Sequence, residues 1–276
     1  MPHLTLGWLT LMNTSPADVI DAAAATGFRS VSIRITGRKL TDPFPSIVGN
    51  PAAMKDLKRR LADGGLRMSN TSVYHVSPDI TLEHLKPAVE ATAELGSKII
   101  VATCTDKDHG RWCDFMAGYC ELADQAGIVL ALEFVPFSEA KTIEVGMDLI
   151  KRTGAKNFGL LVDSLHLSRS GGTPADIAKV DPARIVFAQL CDAVATIPPP
   201  DGLANEARTG RLYPDEGALP LAAFMDALPR DVEIEIEIPK MAVGDRPGLE
   251  QARLAADATR PWLQRYAASR GRPYWT

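Results

Sequence analysis

Apolar positions along this chain follow two alternating rhythms. Short runs of a few residues, rich in β-branched and aliphatic side chains, read as strands: LTLGWLT, FRSVSIRI, LRMSNTSV, KIIVAT, IVLALEF, FGLLVD, RIVFAQL and DVEIEIEI. Between them lie longer stretches with helical spacing. The first runs from Ser15-Pro16, where a capping hydroxyl precedes a proline suited to a first turn, to Gly27. Another occupies 51 to 63 and is stopped by Gly64-Gly65. Further helices are expected near 81 to 95, 111 to 126, 139 to 153, 174 to 179 and 248 to 269, with LPLAAFMDAL in the last long connection.

Strand and helix thus alternate until eight strands have been counted. Eight parallel strands covered by helices close into a barrel, so the expected fold is a single α/β domain over residues 1 to 276, a (β/α)8 TIM barrel. An open doubly wound sheet shares some of this spacing. Neither G-x-G-x-x-G after the first strand nor G-x-x-x-x-G-K-S/T occurs, which argues against a dinucleotide or nucleoside-triphosphate domain.

Charge narrows the partners. With a formal net charge of -4 and cations scattered along the chain, there is no field to track a nucleic-acid backbone or an anionic membrane. No run approaches about 20 apolar residues, and the N-terminus lacks a basic segment followed by a long apolar run, so the expectation is a cytoplasmic protein with no membrane partner. Cys104, Cys113, Cys120 and Cys191 have no close Cys-x-x-Cys spacing and read as free, buried thiols. Small-molecule chemistry is what this composition favours.

In such a barrel, loops at the C-terminal ends of the strands converge on the active site. Glu133, Asp163, Gln189 and Glu237 stand near the ends of strands five to eight. Four oxygen donors gathered there, one of them the neutral amide of Gln189, suit one hard divalent cation such as Mn²⁺ or Mg²⁺. Glu233, Glu235 and Glu237 alternate onto one face of strand eight, where like charges need compensation. Glu237, nearest the strand's end, is the favoured ligand and Glu235 the next. Arg169 could grip a substrate carboxylate, phosphate or hydroxyl through its donor fork, or could form a packing ion pair. Arg208 and Arg211, in the long loop after strand seven, could cover the mouth or face solvent. His75 and His109 have no partner spacing that names a nucleophilic triad.

Glu133 in ALEFVPF, Asp163 and His166 in DSLHLSRSG, Gln189 in FAQLCD and Glu237 in EIP resemble the xylose isomerase-like TIM-barrel family, also called the sugar phosphate isomerase/epimerase family. The resemblance covers nearly the full chain. It implies that Glu133, Asp163, Gln189 and Glu237 surround one divalent metal, that His166 contacts substrate oxygens, and that Glu139 binds substrate unless it stabilises the start of a helix. It implies a catalytic pair, Glu133 and Glu237, moving a proton at carbon, assisted by His166. The expected reaction is metal-dependent isomerisation or epimerisation of a ketose or related small polyhydroxylated carbonyl compound through an enediolate.

The close alternative is a metal-dependent dehydratase, a lyase acting on a dehydroshikimate-like or inosose substrate; a nonenzymatic sugar-binding barrel is a separate one. An apurinic endonuclease would need a His-richer site and a cationic surface. The family resemblance is compatible with a homo-oligomer, which no patch of sequence specifies. The terminal PYWT could dock on the body or on a neighbour.

Overall fold

A computed structural model describes residues 4–45 and 47–271; the PYWT terminus lies outside the described residues. Eight parallel strands close a barrel in chain order, from β1 (Leu4–Leu6) through β2 (Ser30–Arg34), β3 (Arg67–Ser72), β4 (Ile99–Ala102), β5 (Val129–Glu133), β6 (Phe158–Asp163), β7 (Ile185–Leu190) and β8 (Ile234–Ile236), with β8 paired back onto β1. The eight-strand count and the barrel are as the alternating rhythm predicts.

The outer wall is built from helices α1 (Pro16–Ala25), α2 (Pro51–Asp63), α3 (Leu82–Glu94), α4 (His109–Gln125), α5 (Ile143–Thr153) and α10 (Gly248–Arg270), with four shorter ones, α6 (Ser164–Arg169), α7 (Pro174–Ile177), α8 (Leu203–Thr209) and α9 (Leu221–Ala227). Ser15 caps α1, its side chain accepting from Asp18 N, and Asn50 caps α2 in the same way, each ahead of a proline. Three boundaries differ from the sequence reading. Helix α5 starts at Ile143 behind the cap Thr142, so Glu139 sits in the preceding turn and not on a helix end. The LTLGWLT run ends as a strand at Leu6 and turns into a 3-10 helix, Trp8–Thr10. In DVEIEIEI only Ile234–Ile236 is assigned as strand.

Alternation along each strand divides the core in two. Leu130, Leu132, Leu160, Val162, Leu190 and Ile234 belong to the large apolar layer between sheet and helices. Ala131, Leu161 and Phe187 form a small separate cluster, with Ile99, Val101 and Val186 packed on it. The barrel interior is therefore apolar on the β4–β7 side. Toward β8, β1 and β3 it is polar: Glu233 accepts from Thr5 and pairs with Arg67, while Glu235 accepts from Asn70 at 2.6 Å. Successive inward glutamates sit about 7 Å apart along a strand, and each lower one has its own donors. A glycine makes room for this arrangement: at Gly7 a Cβ would meet Ile236 O at 2.5 Å and Glu235 Oε1 at 3.0 Å.

Candidate active site

The strand ends open onto a cavity of about 220 Å³ whose lining includes Glu133, His166, Gln189, Arg211 and Glu237. Register explains why these side chains meet. Asp163 on β6 pairs with Gln189 on β7, and Gln189 with Glu235 on β8, so Glu237 stands two residues beyond, at the mouth. Oxygen or nitrogen atoms of Glu133, Asp163 and His166 lie within 4.8 Å of one another, a grouping able to hold a cation.

Arg211 binds this acidic floor together. Its Nη1 donates to Asp163 Oδ2 at 2.6 Å, its Nη2 lies 2.9 Å from Glu237 Oε2, and its Nε donates to Ala207 O at 2.9 Å. Backbone bridges from Gly210 to Lys240 and from Leu212 to Asp192 pin the chain on either side of it. Its side chain is 1 % exposed. Burial alone would lower its proton affinity, but Asp163, Cys191 and Glu237 hold it charged. Asp163 responds in kind. Burial would raise its pKa, yet Arg211, His166 and the backbone N–H of His166 keep it below the usual carboxylate range. Its Oδ1 also caps α6, accepting from Leu165 N at 2.7 Å and His166 N at 3.0 Å.

Glu133 is different. Burial, then Glu237 and Asp163, push its carboxyl up to about 8. Burial raises Glu237 as well, against the pull of Arg211. His166 is pushed down to about 4 by burial and so is neutral at pH 7; its Nε2 lies 3.5 Å from Glu133 Oε1, its Nδ1 has no partner, and its ring meets Phe137 edge-on at 5.8 Å.

Below this layer Glu235 is also pushed up to about 8, by burial and then by Glu237. It accepts from Gln189 Nε2 at 2.8 Å, which fixes the amide so that the buried Gln189 Oε1 is left without a hydrogen-bond partner. An unpartnered buried amide oxygen is costly unless something electropositive meets it. Together with the cavity carboxylates Glu133 and Glu237, raised by burial and then by neighbouring carboxylates, it makes a donor set that fits a hard divalent cation.

Glu133, Gln189, Glu237 and His166 thus line one cavity, with Asp163 beside them. Glu139 is half-buried and does not line it, although its neighbours Phe137 and Ser138 do. Arg169 does not line it either. Its fork is spent on Glu206 (Nε–Oε2 2.8 Å, Nη2–Oε1 2.6 Å) and on Val194 O at 2.8 Å, which makes it the packing ion pair and not a free anion grip. The strand-end reading missed Trp8, Arg34 and Arg38, which line the cavity, and left Arg211 undecided. Arg34 ends β2 as Glu133 ends β5, and the same strand-end criterion would have found it. No sequence signal marks Arg211.

The profile of the family described as Xylose isomerase-like TIM barrel matches residues 20–266. A 3-dehydroshikimate dehydratase of Pseudomonas aeruginosa is 25% identical over 234 residues, 80% of this chain and 35% of that protein. An inosose isomerase of Bacillus velezensis is 26% identical over 157 residues, covering 53% of this chain and 54% of the relative. The chain thus aligns with about a third of the first relative and about half of the second. Among solved structures, the IolI protein with a bound zinc atom superposes with a TM-score of 0.81 at 19% identity, over 96% of this chain and 99% of that one.

Proposed function

Because this chain belongs to the xylose isomerase-like TIM-barrel family, we propose that it is a divalent-metal-dependent enzyme that removes a proton from the carbon beside the carbonyl of a small polyhydroxylated substrate, yielding an isomerised or epimerised product. The observation that carries this reading is the convergence, in one cavity, of Glu133, Glu237 and the unpartnered amide oxygen of Gln189. Glu133, Asp163, Gln189 and Glu237 would hold the cation, which would supply stabilisation of the negative charge developing on the substrate oxygen.

The chain's own residues divide the remaining work. Glu133, which makes no ion pair with an arginine among the described residues, is the group to accept the carbon-bound proton; Glu237, tethered by Arg211, faces the same cavity and can return a proton to a neighbouring carbon or the other face. His166, neutral and wedged against Phe137, offers one N–H and one lone pair to substrate hydroxyls. Cytoplasmic location and the Mn²⁺ or Mg²⁺ preference belong to this proposal. Among the described residues no helix is long and apolar enough to cross a membrane.

A second reading, loss of water from a β-hydroxy carbonyl compound, draws on His166, which lines the cavity and could hold a departing hydroxyl by hydrogen bonding. The name of the P. aeruginosa relative supports it too. One experiment separates the two: incubate Mn²⁺-loaded protein with ketoses, inososes and 3-dehydroshikimate in deuterated water and analyse products by mass spectrometry. Solvent deuterium at carbon with an otherwise conserved formula supports isomerisation; an unsaturated product lighter by one water supports the lyase. Glu133→Gln and Glu237→Gln are each expected to slow exchange at least about 100-fold while the far-ultraviolet dichroism stays that of the parent. Exchange equal to wild type in both folded variants would remove their proton-transfer roles.

A further inference from the structure

Three arginines line the same cavity as the carboxylates: Arg34 at the end of β2, Arg38 in the loop that follows, and Arg208 on α8. Arg34 and Arg38 are half-buried and Arg208 is exposed at the rim, and their surroundings differ from those of the buried arginines. Arg211 is matched to Asp163 and Glu237, and Arg169 to Glu206. Among the described residues Arg34, Arg38 and Arg208 enter no ion pair of comparable contact.

Arg34 Nη1 is fixed by two carbonyls, Val73 O at 2.8 Å and Gly37 O at 3.3 Å, its guanidinium lies 5.0 Å from the Trp8 ring centroid, and its buried Nε has no partner. Arg208 lies over Phe137 at 5.9 Å. The nearby carboxylate of Asp42 is occupied by the backbone, its Oδ2 accepting from Arg38 N at 2.8 Å and Lys39 N at 3.0 Å. Two guanidiniums over aromatic rings and a third from the loop after β2 thus bring three donor forks to one cavity, none of them closed by a carboxylate in direct contact among the described residues.

The charges act on one another. Burial and then Arg38 lower Arg34 to about 10; burial and then Arg208 lower Arg38. His75, also lining the cavity, is pushed down to about 4 by burial and then by all three arginines. Asp42, Glu133 and Glu237 offset part of this repulsion, but Glu237 is also paired with Arg211, and on the reading above Glu133 and Glu237 are engaged by the cation. Burial makes the charge of Arg34 costly, and a ligand bearing negative charge offsets that cost while Arg38 and Arg208 add donors nearer the rim.

We infer that Arg34, Arg38 and Arg208 form an anion subsite, so that the substrate is a polyhydroxylated carbonyl compound carrying a carboxylate or phosphate. The inference rests on the enolising reading for the carbonyl and adds the anionic group. Charge-assisted forks of this kind select a carboxylate or phosphate over its neutral counterpart by roughly 10- to 100-fold.

The test is calorimetric binding of two matched pairs, quinate against its methyl ester and inositol 1-phosphate against inositol, with and without Mn²⁺. Wild type is expected to prefer at least one anion of a pair by 10-fold or more, and the member preferred tells carboxylate from phosphate. In Arg38→Gln/Arg208→Gln that preference falls to within about 2-fold, while the neutral members bind as before. Arg34→Gln, more deeply seated, is read only if its melting profile matches the parent. Equal affinity within both pairs in wild type, no binding of either anion, or a preference that survives the double substitution overturns the subsite. Deuterium exchange decides the other question separately. Exchange on neutral ketoses with kcat/KM indifferent to the arginines keeps the enolising reading and rejects the subsite; anion preference without exchange on any substrate does the reverse.

Discussion

Glu235 shows how one buried carboxylate can decide what its neighbour presents. It accepts from both Asn70 and Gln189, so the Gln189 amide is oriented with its nitrogen down and its oxygen without a protein partner. In Glu235→Gln one acceptor oxygen is replaced by an NH₂ donor, which can be satisfied only if one of the facing amides turns over. Rotation of Gln189 would put its nitrogen where the cation needs oxygen. Affinity for Mn²⁺, measured by titration calorimetry, is therefore expected to fall about 10- to 100-fold with little change in thermal stability. Undiminished affinity would mean that the Gln189 oxygen is no ligand. The three glutamates of DVEIEIEIP are legible in sequence as sharing one face, because strand period is 2. Which of them meets Arg67, Asn70 or the cavity depends on inter-strand register, which no local pattern encodes. Arg211 was beyond reach for the same reason: its carboxylate partner Asp163 is 48 residues away, across a loop whose path the chain does not announce.

At the scale of elements, the segment between β7 and β8 carries the parts that sequence rendered least well. PPP at 198–200 and the surrounding glycines read as an open loop, yet LANEART folds as α8 and delivers Arg208. What holds α8 in place is the buried pair Arg169–Glu206, joining it to α6. Removing one partner of such a pair strands the other charge in a dry site. Arg169→Ala is expected to cost about 3 to 5 kcal/mol, lowering Tm by roughly 10 °C for a chain of this size. The double change Arg169→Met/Glu206→Leu should recover most of that loss, since neither charge is then left alone. Because α8 also carries Arg208, binding of anionic ligands should weaken more than that of neutral ones in Arg169→Ala, and the double change should restore both. Anion binding that stays weak in a double variant of parental Tm would return Arg169 to the substrate-gripping role that its sequence context allowed.

Over the whole molecule, the βα count was readable because each unit carries its own hydrophobic period and its own stops, from Ser15-Pro16 to Gly64-Gly65, and eight such units favour closure into a barrel over an open sheet. The division of the interior into an apolar side and a carboxylate side was not readable, because it is set by which strand neighbours which. The burial of the cysteines was readable, and it has a consequence for stability against alkali. All four thiols are buried, and burial pushes those of Cys104 and Cys120 up to about 12. In the unfolded chain a thiol ionises near about 8.5. Between these limits the unfolded state has lost a proton that the folded state retains, so stability must fall as pH rises. Each such thiol removes up to about 1.4 kcal/mol per pH unit above the unfolded value. Urea unfolding at pH 9, 10 and 11 should show this decline, and Cys120→Ala should flatten it by up to that amount, since alanine has no proton to lose. An identical slope in the variant would mean that the Cys120 thiol ionises as readily in the folded barrel as in the unfolded chain, against the burial that encloses it.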